Sequence, residues 1–187
     1  MLINMVLPGA AGSAEEPFAF TYSGDFTDNR VDGVGTVRLN TSGTLTVTGK
    51  AVTVSATIVG GGGGGALCNN SREMCASGGG GGIQTVEVTL KAGTYDIVIG
   101  TGGAASNKTS NATGGNGGDT IAFEKTSTGG TGGKGGYGSY NAAGVGGTPN
   151  GGNGAIGIES GGTPNGGAVT TRGAQAGGDG YVELTFI

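Results

Sequence analysis

The sequence predicts an all-β fold, a small antiparallel β-sandwich that carries a bundle of packed polyglycine-II helices. Several short runs alternate apolar and polar residues, which is the period of a half-buried strand. Glycine supplies 48 of the 187 residues and is gathered into blocks between those runs. No stretch shows the 3.6-residue apolar period of an amphipathic helix.

The alternating runs predict eight strands. The clearest is VTVSATIV at 52–59. Gly, Asn and Asp separate the runs, which favours antiparallel pairing in a sandwich. The predicted strands are 18–22, 34–39, 44–48, 52–59, 85–90, 94–99, 120–123 and 181–187. The predicted core consists of Val37, Leu45, Val47, Val54, Ile58, Val88, Leu90, Ile97, Ile99, Phe123, Val182, Leu184 and Phe186.

The glycine blocks are predicted to form extended helices of the polyproline-II type. Such a helix has about three residues per turn and no internal hydrogen bonds, so its N–H and C=O groups need partners on neighbouring chains. Side-by-side packing supplies those partners only where no Cβ blocks the approach. A flexible linker would instead mix glycine with serine and lack the flanking strands. The composition therefore predicts a folded bundle.

This pattern divides the chain into four regions. We expect residues 1–17 to form an N-terminal arm or attachment strand and residues 18–59 to form the β-sheet region. The polyglycine-II bundle covers 60–180, with interposed strand segments at 83–99 and 119–124. Residues 181–187 form a closing β-strand. The glycine region is therefore an insertion tethered to the sheet at both ends.

The glycine blocks alternate between outward and returning segments, as in 60–65 and 78–82. Two identical TPNGG sequences, at 148–152 and 163–167, indicate reversals at the sheet side, because Pro presets φ and Asn tolerates turn geometry. The alternation places five diverse loops at the opposite end, at 66–77, 104–113, 137–143, 155–160 and 168–176. Diverse loops on a rigid support are typical of a binding tip.

The candidate receptor-binding side chains lie in these five loops. Aromatic and Arg side chains are common interface anchors, and exposed apolar residues in a short loop need neighbours or a partner. The tyrosines have the alternative role of covering glycine backbone. The predicted contacts are Leu67, Asn69, Asn70, Arg72, Glu73, Met74, Asn107, Lys108, Tyr137, Tyr140, Ile156, Ile158, Glu159, Val169, Arg172 and Gln175.

Two cysteines, Cys68 and Cys75, lie in the first of the loops. They are too few to form a zinc site. A disulfide between them would close a short ring and hold the residues between them in one shape. The sequence leaves open whether they are bonded to each other or both reduced.

Composition argues against several classes of function. The net charge is −4 and the nine Lys and Arg residues are scattered, which disfavours nucleic acid as a partner. No apolar run approaches the roughly 20 residues of a membrane helix, and residues 1–7 lack the basic region of a signal peptide. We therefore expect no nucleic-acid partner and no insertion into a membrane.

Catalysis, cofactors and metals have little support in the sequence. The chain has no His, and its carboxylates show no spacing that marks an acid–base pair, so we expect no enzyme activity and no cofactor. Lys134 lacks the context of a phosphate-binding loop. Residues 114–122 match a calcium-binding nonapeptide once, but that motif works in stacked copies, so a segment returning to a strand is favoured. The acidic group Asp25, Asp28 and Asp32 misses EF-hand spacing, and no metal site is predicted.

Four sequences carry a resemblance to a known kind of protein. They are VGGGGGG at 59–65, LKAGTYDIVIG at 90–100, GGNGGDT at 114–120 and GGDGYV at 177–182, with the lead-in SGTLTV at 42–47. The chain resembles the glycine-rich domain of bacteriophage tail-fibre and minor tail proteins from about residue 18 to 187. In plan it is similar to the polyglycine-II tail-fibre adhesins of T-even-type phages.

The resemblance implies a virion protein in a tail fibre or another exposed appendage, which recognises a host cell-surface protein or glycan through its loops. It also implies other phage tail or fibre proteins as partners, and leaves assembly into a homotrimer open. A structural virion protein that spaces or decorates the tail or capsid is the alternative. Ice binding, suggested by polyglycine bundles in some antifreeze proteins, is disfavoured by the uneven loops.

Overall fold

The computed structural model describes residues 16–67, 75–107, 111–136, 141–157, 161–170 and 173–187. Within those ranges the protein forms β-strands and no helix. The strands are β1 (Ala19–Tyr22), β2 (Phe26–Asp28), β3 (Gly35–Leu39), β4 (Gly43–Thr48), β5 (Val52–Val59), β6 (Ile83–Leu90), β7 (Gly93–Ile97), β8 (Thr120–Ala122), β9 (Lys125–Ser127), β10 (Val169–Thr170), β11 (Gly173–Ala174) and β12 (Tyr181–Phe186). The predicted all-β class is confirmed.

Two antiparallel sheets enclose one apolar core. The larger sheet has the strand order β2-β3-β12-β5-β6, and the smaller has the order β1-β4-β7. Period-two alternation turns one side of each strand inward, as in β5, where Val54, Ala56 and Ile58 are buried and Thr53 is exposed. The buried cluster comprises Val37, Leu39, Leu45, Val47, Val54, Ala56, Ile58, Leu90, Ile97, Ile99, Ala122, Val182, Leu184 and Phe186.

The structure departs from the predicted core at Val88 and Phe123. Both side chains are only partly buried. Val88 lies on β6, an edge strand of the larger sheet. Phe123 has a φ of 52° and forms the turn that ends β8, so it is not a strand residue as predicted. Strands β2, β9, β10 and β11, each of two or three residues, were not predicted.

The glycine blocks form the predicted polyglycine-II bundle. In the segment 60–66, hydrogen-bond partners repeat every third residue. The N–H groups of Gly60, Gly63 and Ala66 donate to the segment 76–82, at 2.9, 2.8 and 2.8 Å. The intervening N–H groups donate in turn to two other segments. None of the glycines in this segment has a positive φ. A period of three is the signature of the left-handed polyproline-II helix.

The segment 60–66 lies at the centre of the bundle. Its N–H groups donate to three segments and its C=O groups accept from three more. These six neighbours are 76–82, 100–106, 113–119, 128–135, 166–168 and 175–180. With a neighbour in every direction, every residue from Gly60 to Ala66 is buried. This enclosure explains the uninterrupted run of glycine, because each direction would bring a Cβ against backbone.

The outer segments carry a non-glycine residue at every third position. Along 113–119, 128–135 and 142–148, these residues are exposed to solvent, or partly exposed at Thr128. Several of their side chains bond backbone N–H groups. Oδ1 of Asn116 accepts from Gly132 at 3.0 Å, and Oδ1 of Asp119 accepts from Gly129 at 2.9 Å. These side chains satisfy donors that an additional segment would otherwise bond.

The two TPNGG sequences turn the chain at the sheet side, as predicted. The carbonyl of Pro149 accepts from Ile83 at the start of β6, and that of Pro164 accepts from Gly81. Asn150 and Asn165 have φ values of 61° and 65°. Asn adopts this left-handed conformation more readily than most residues, and it therefore suits both turns.

Buried hydroxyl groups join the bundle to the sandwich. Thr120 and Ser127, in the hairpin of β8 and β9, are fully buried. The Ser127 hydroxyl donates to the Ile58 carbonyl at 2.9 Å, and the Thr120 hydroxyl accepts from the Gly100 N–H at 3.0 Å. The hairpin therefore satisfies backbone groups where strands change into glycine segments.

At the opposite end of the sandwich, Arg30 lies between two aromatic rings. Its Cζ is 4.8 Å from the Phe20 ring centre and 4.7 Å from that of Phe186. The guanidinium also bonds both oxygens of Asp28, at 2.9 and 2.7 Å. The hydrogen bond from Arg30 is the main cause that lowers the pKa of Asp28.

Substituting a central glycine should destabilise the protein far more than substituting an outer one. A Cβ on Gly63 would meet the Thr131 backbone well inside the 3.0 Å that real Cβ contacts respect, whereas a Cβ on Gly178 would meet only the Asn165 side chain, at 3.4 Å. We expect Gly63→Ala to lower the free energy of unfolding by about 3 kcal/mol or more, or to prevent folding. Gly178→Ala should change it by less than about 1 kcal/mol. Urea unfolding measures both, and equal effects would contradict the packing described.

Removing Arg30 should raise the pKa of Asp28 toward its ordinary value of 3.8. Because folding lowers this pKa, the carboxylate stabilises the protein above the unfolded pKa, and that contribution is lost as pH falls through the folded pKa. The effect on stability should be small, since the pair is accessible to solvent. NMR titration of the Asp28 carboxyl in the wild type and in Arg30→Gln tests this, and identical titration curves would disprove it.

Candidate functional site

The five loops leave the bundle at one end. Isolated backbone bridges join the residues at the bases of four loops, pairing Ala66 with Ala76 and Ser106, Ala76 with Ile156, and Lys134 with Thr113 and Ala142. The fifth base joins them through Gln175, whose carbonyl accepts from Gly65 at 2.9 Å. We call this end, defined by these residues, the loop end. The predicted sorting of loops and turns to opposite ends is confirmed for the loop bases.

Small buried residues form the floor of the loop end. Ala66, Ala76 and Ala112 are fully buried. The Ser77 hydroxyl accepts from the N–H of Ala155 at 2.7 Å, and the Gly157 N–H donates to the Cys75 carbonyl at 2.9 Å. Short side chains allow the segments to stay at hydrogen-bonding distance up to the level at which the loops begin. The bases of the loops are therefore fixed by the bundle.

Four predicted contact residues lie at the loop end within the described ranges. Ile156 is 46% exposed, so its apolar side chain is accessible to a partner. Leu67 is half-buried, and its N–H donates to the Ser106 carbonyl at 2.8 Å. Asn107 is exposed, and its Oδ1 accepts from the Ala174 N–H at 2.8 Å, which links the second loop to the fifth. Gln175 is exposed.

Val169 was predicted as a receptor contact, and this prediction is wrong. Its side chain is only 2% exposed. It lies on β10 against the end of the central segment, with Cγ2 placed 3.0 Å from where a Cβ of Gly65 would be. Its apolar side chain therefore covers glycine backbone and is not available to a partner.

The remaining predicted residues fall outside the described ranges. They are Asn69, Asn70, Arg72, Glu73, Met74, Lys108, Tyr137, Tyr140, Ile158, Glu159 and Arg172. Cys68 lies outside them as well, and Cys75 is buried at the base of the first loop. The receptor contacts of these side chains stay predictions, and the bonded and reduced states of the two cysteines stay alternatives.

Three of the residues considered for calcium bond other groups of the protein. Asn116 and Asp119 bond backbone N–H groups on a segment that returns to β8, as the favoured interpretation predicted. Asp28 pairs with Arg30. Across the described ranges, no three His, Cys, Asp or Glu side chains come together in a way that could hold a metal ion. The same ranges contain no helix long and apolar enough to cross a membrane.

Sequence reasoning missed a groove on the side of the bundle. It has a volume of about 290 Å³ and runs down from the loop end. Its lining residues are Thr113, Asn116, Thr131, Gly132, Lys134, Ala142, Ala143 and Val145. We call it the flank groove. The available signal was the spacing of three between its non-glycine residues, as in Thr131 and Lys134, which places them on one exposed face.

Comparisons with known proteins agree with this architecture. A family model described as a glycine-rich domain matches residues 36–186, from β3 to the end of β12. A search of curated proteins found no match. The matched region includes most of the sandwich and the whole bundle, so the strands and the glycine segments are parts of one domain. The chain belongs to the glycine-rich domain family.

Proposed function

We propose that this protein is a phage virion adhesin that binds a host cell-surface receptor through its loop end. The observation that supports the proposal best is the position of the loop bases, which lie together at one end of the bundle. The Pro149 and Pro164 turns and the sandwich lie at the other end. Most of the bundle between them is glycine backbone, so the diverse side chains of the chain are concentrated where the loops project.

Rigidity of the bundle favours binding. Association costs free energy for every loop that must be ordered, and a support fixed in advance lowers that cost. At the loop end, the segments are cross-linked by backbone hydrogen bonds of 2.8 to 3.1 Å between Ala66, Ala76, Lys134 and Ala142. These contacts hold the loop bases at constant spacing in the absence of a partner.

The loop sequences contain suitable anchors. They carry Arg72, Arg172, Tyr137 and Tyr140, the residue types that contribute most to protein interfaces. Ile156 adds exposed apolar surface at the loop end. A host protein or a host glycan would suit this mixture, and a location in the tail fibre would present the loops outward.

A structural virion protein is the second candidate. Val31 and Val34, in the turn between β2 and β3, are 73% and 56% exposed. This turn lies at the end of the sandwich farthest from the loops, and exposed apolar residues there suit packing against another virion protein. An adhesin needs both this attachment surface and a receptor-binding surface at the loop end. A structural spacer needs only the attachment surface.

Replacing a loop tip should reduce adhesion. We would replace residues 68–74 with a Gly-Ser sequence of equal length and retain Ala66 and Ala76, which are buried and paired. Binding of the purified protein to host cells should fall about tenfold or more, the equivalent of roughly 1.4 kcal/mol. The other four loop tips would be replaced in the same way.

Val34→Ser is the matched control, because it changes an exposed apolar residue at the opposite end of the molecule. Circular dichroism would verify that each variant keeps the fold. If none of the five loop variants binds host cells less than the control does, the adhesin proposal fails and the spacer is favoured.

A further inference from the structure

The flank groove is a preformed feature of the bundle. Three segments form its walls, and backbone hydrogen bonds hold them together. The Gly114 N–H donates to Gly133 at 2.9 Å, the Thr131 N–H to Val145 at 2.9 Å, and the Lys134 N–H to Ala142 at 2.8 Å. The floor at Gly132 is also fixed by Asn116. No wall has to form when a ligand binds.

Lys134 supplies a positive charge to the lining of the groove. Lys134 is exposed at its rim. Between Asp96 and Glu159 the sequence contains only two acidic residues, Asp119 and Glu124, and both lie at the sheet end next to β8. The ion pair found among the described residues joins Arg30 to Asp28 in the sandwich. Among the described residues Lys134 forms no ion pair, although the net charge of the chain is −4.

Hydrogen-bonding groups lie beside this cation. Since Oδ1 of Asn116 accepts from Gly132, the NH₂ of that amide is left as a donor at the groove. The Thr131 hydroxyl accepts from the Val145 N–H at 2.7 Å, and its own contact to the Val145 carbonyl is long, at 3.5 Å. Both side chains line the groove below Lys134.

An apolar wall completes the groove. Val145 is 58% exposed, and Ala142 and Ala143 extend the same wall. A sugar ring combines an apolar C–H face with hydroxyl groups at its edge. It could place that face on Val145 and its hydroxyl oxygens on the amide of Asn116. An acidic group on the ring would then be left to meet Lys134.

We propose that the flank groove binds a single sugar residue that carries a carboxylate or a sulfate. The volume of about 290 Å³ is slightly below the range of roughly 300–1,000 Å³ typical of sites for drug-sized ligands, which suits one ring. The inference rests on the proposed adhesin function, because it makes an acidic surface polysaccharide the class of receptor. The groove adjoins the loop end, so one glycan chain could contact both.

Saturation-transfer NMR with purified protein tests the inference. The probes are methyl glucuronide, methyl galacturonide, N-acetylneuraminic acid and galactose 6-sulfate, with methyl glucoside and methyl galactoside as neutral counterparts. We expect at least one anionic sugar to bind in the millimolar range, more weakly at high salt, and the neutral sugars to give no signal. Lys134→Gln should weaken this binding at least fivefold.

Lys125→Gln is the matched control, because Lys125 is also an exposed lysine but lies on β9 at the sheet end. It should bind the anionic sugar as the wild type does. The inference is overturned if no anionic sugar in the panel binds, or if Lys134→Gln binds as well as Lys125→Gln.

Failure of the adhesin proposal gives a different result. A protein that binds an anionic sugar through Lys134, but does not bind host cells, supports the groove and contradicts the adhesin. A protein that binds host cells through its loops but binds no anionic sugar contradicts the groove alone.

Discussion

The fold depends on hydrogen bonds between glycine segments that have none within themselves. A polyglycine-II helix leaves every N–H and C=O unpaired, so each segment is stable only among others. Six neighbouring segments surround the central segment 60–66. Three of them accept hydrogen bonds from its N–H groups, and the other three donate to its C=O groups. The bonds of 2.7 to 3.1 Å form only because no Cβ separates the chains along the glycine run, which makes glycine a steric requirement of the interior. The sandwich complements this arrangement, since its strands hold the ends of the first and last segments in register.

The exclusion of Cβ atoms from the interior also determines where functional side chains can lie. Side chains are excluded from the interior and appear at every third position of the outer segments or in the loops. Some outer side chains form hydrogen bonds that stabilise the bundle, such as Asn153, whose Oδ1 accepts from the Gly146 N–H at 2.8 Å. Others, such as Lys134 and Val145, project from the surface. The two surfaces proposed for recognition, the loop end and the flank groove, are both places where side chains project from this glycine framework.

The sequence predicts much of this architecture, for identifiable reasons. Strand β5 matches the predicted 52–59, because eight residues of clear alternation leave little ambiguity. The order of glycine blocks and TPNGG turns was enough to sort the loops, since each block must cross the bundle once. The pairing of segments could not be predicted, because a run of identical glycines contains no information about its neighbours. Two misses follow from this. The burial of Val169 depends on where its segment meets Gly65, and the flank groove depends on which three segments lie side by side.

Amide hydrogen exchange measured by NMR tests the central claim most directly. The N–H groups of Gly61, Gly62, Gly63 and Gly64 are buried and bonded to other segments at 2.8 to 2.9 Å. They should exchange as slowly as those of Val54 and Ile58 in the core of the sandwich, since both sets open only in large-scale unfolding. Exchange of these glycines at the rate of an unstructured peptide, with the strand amides still protected, would contradict the bundle and the account built on it.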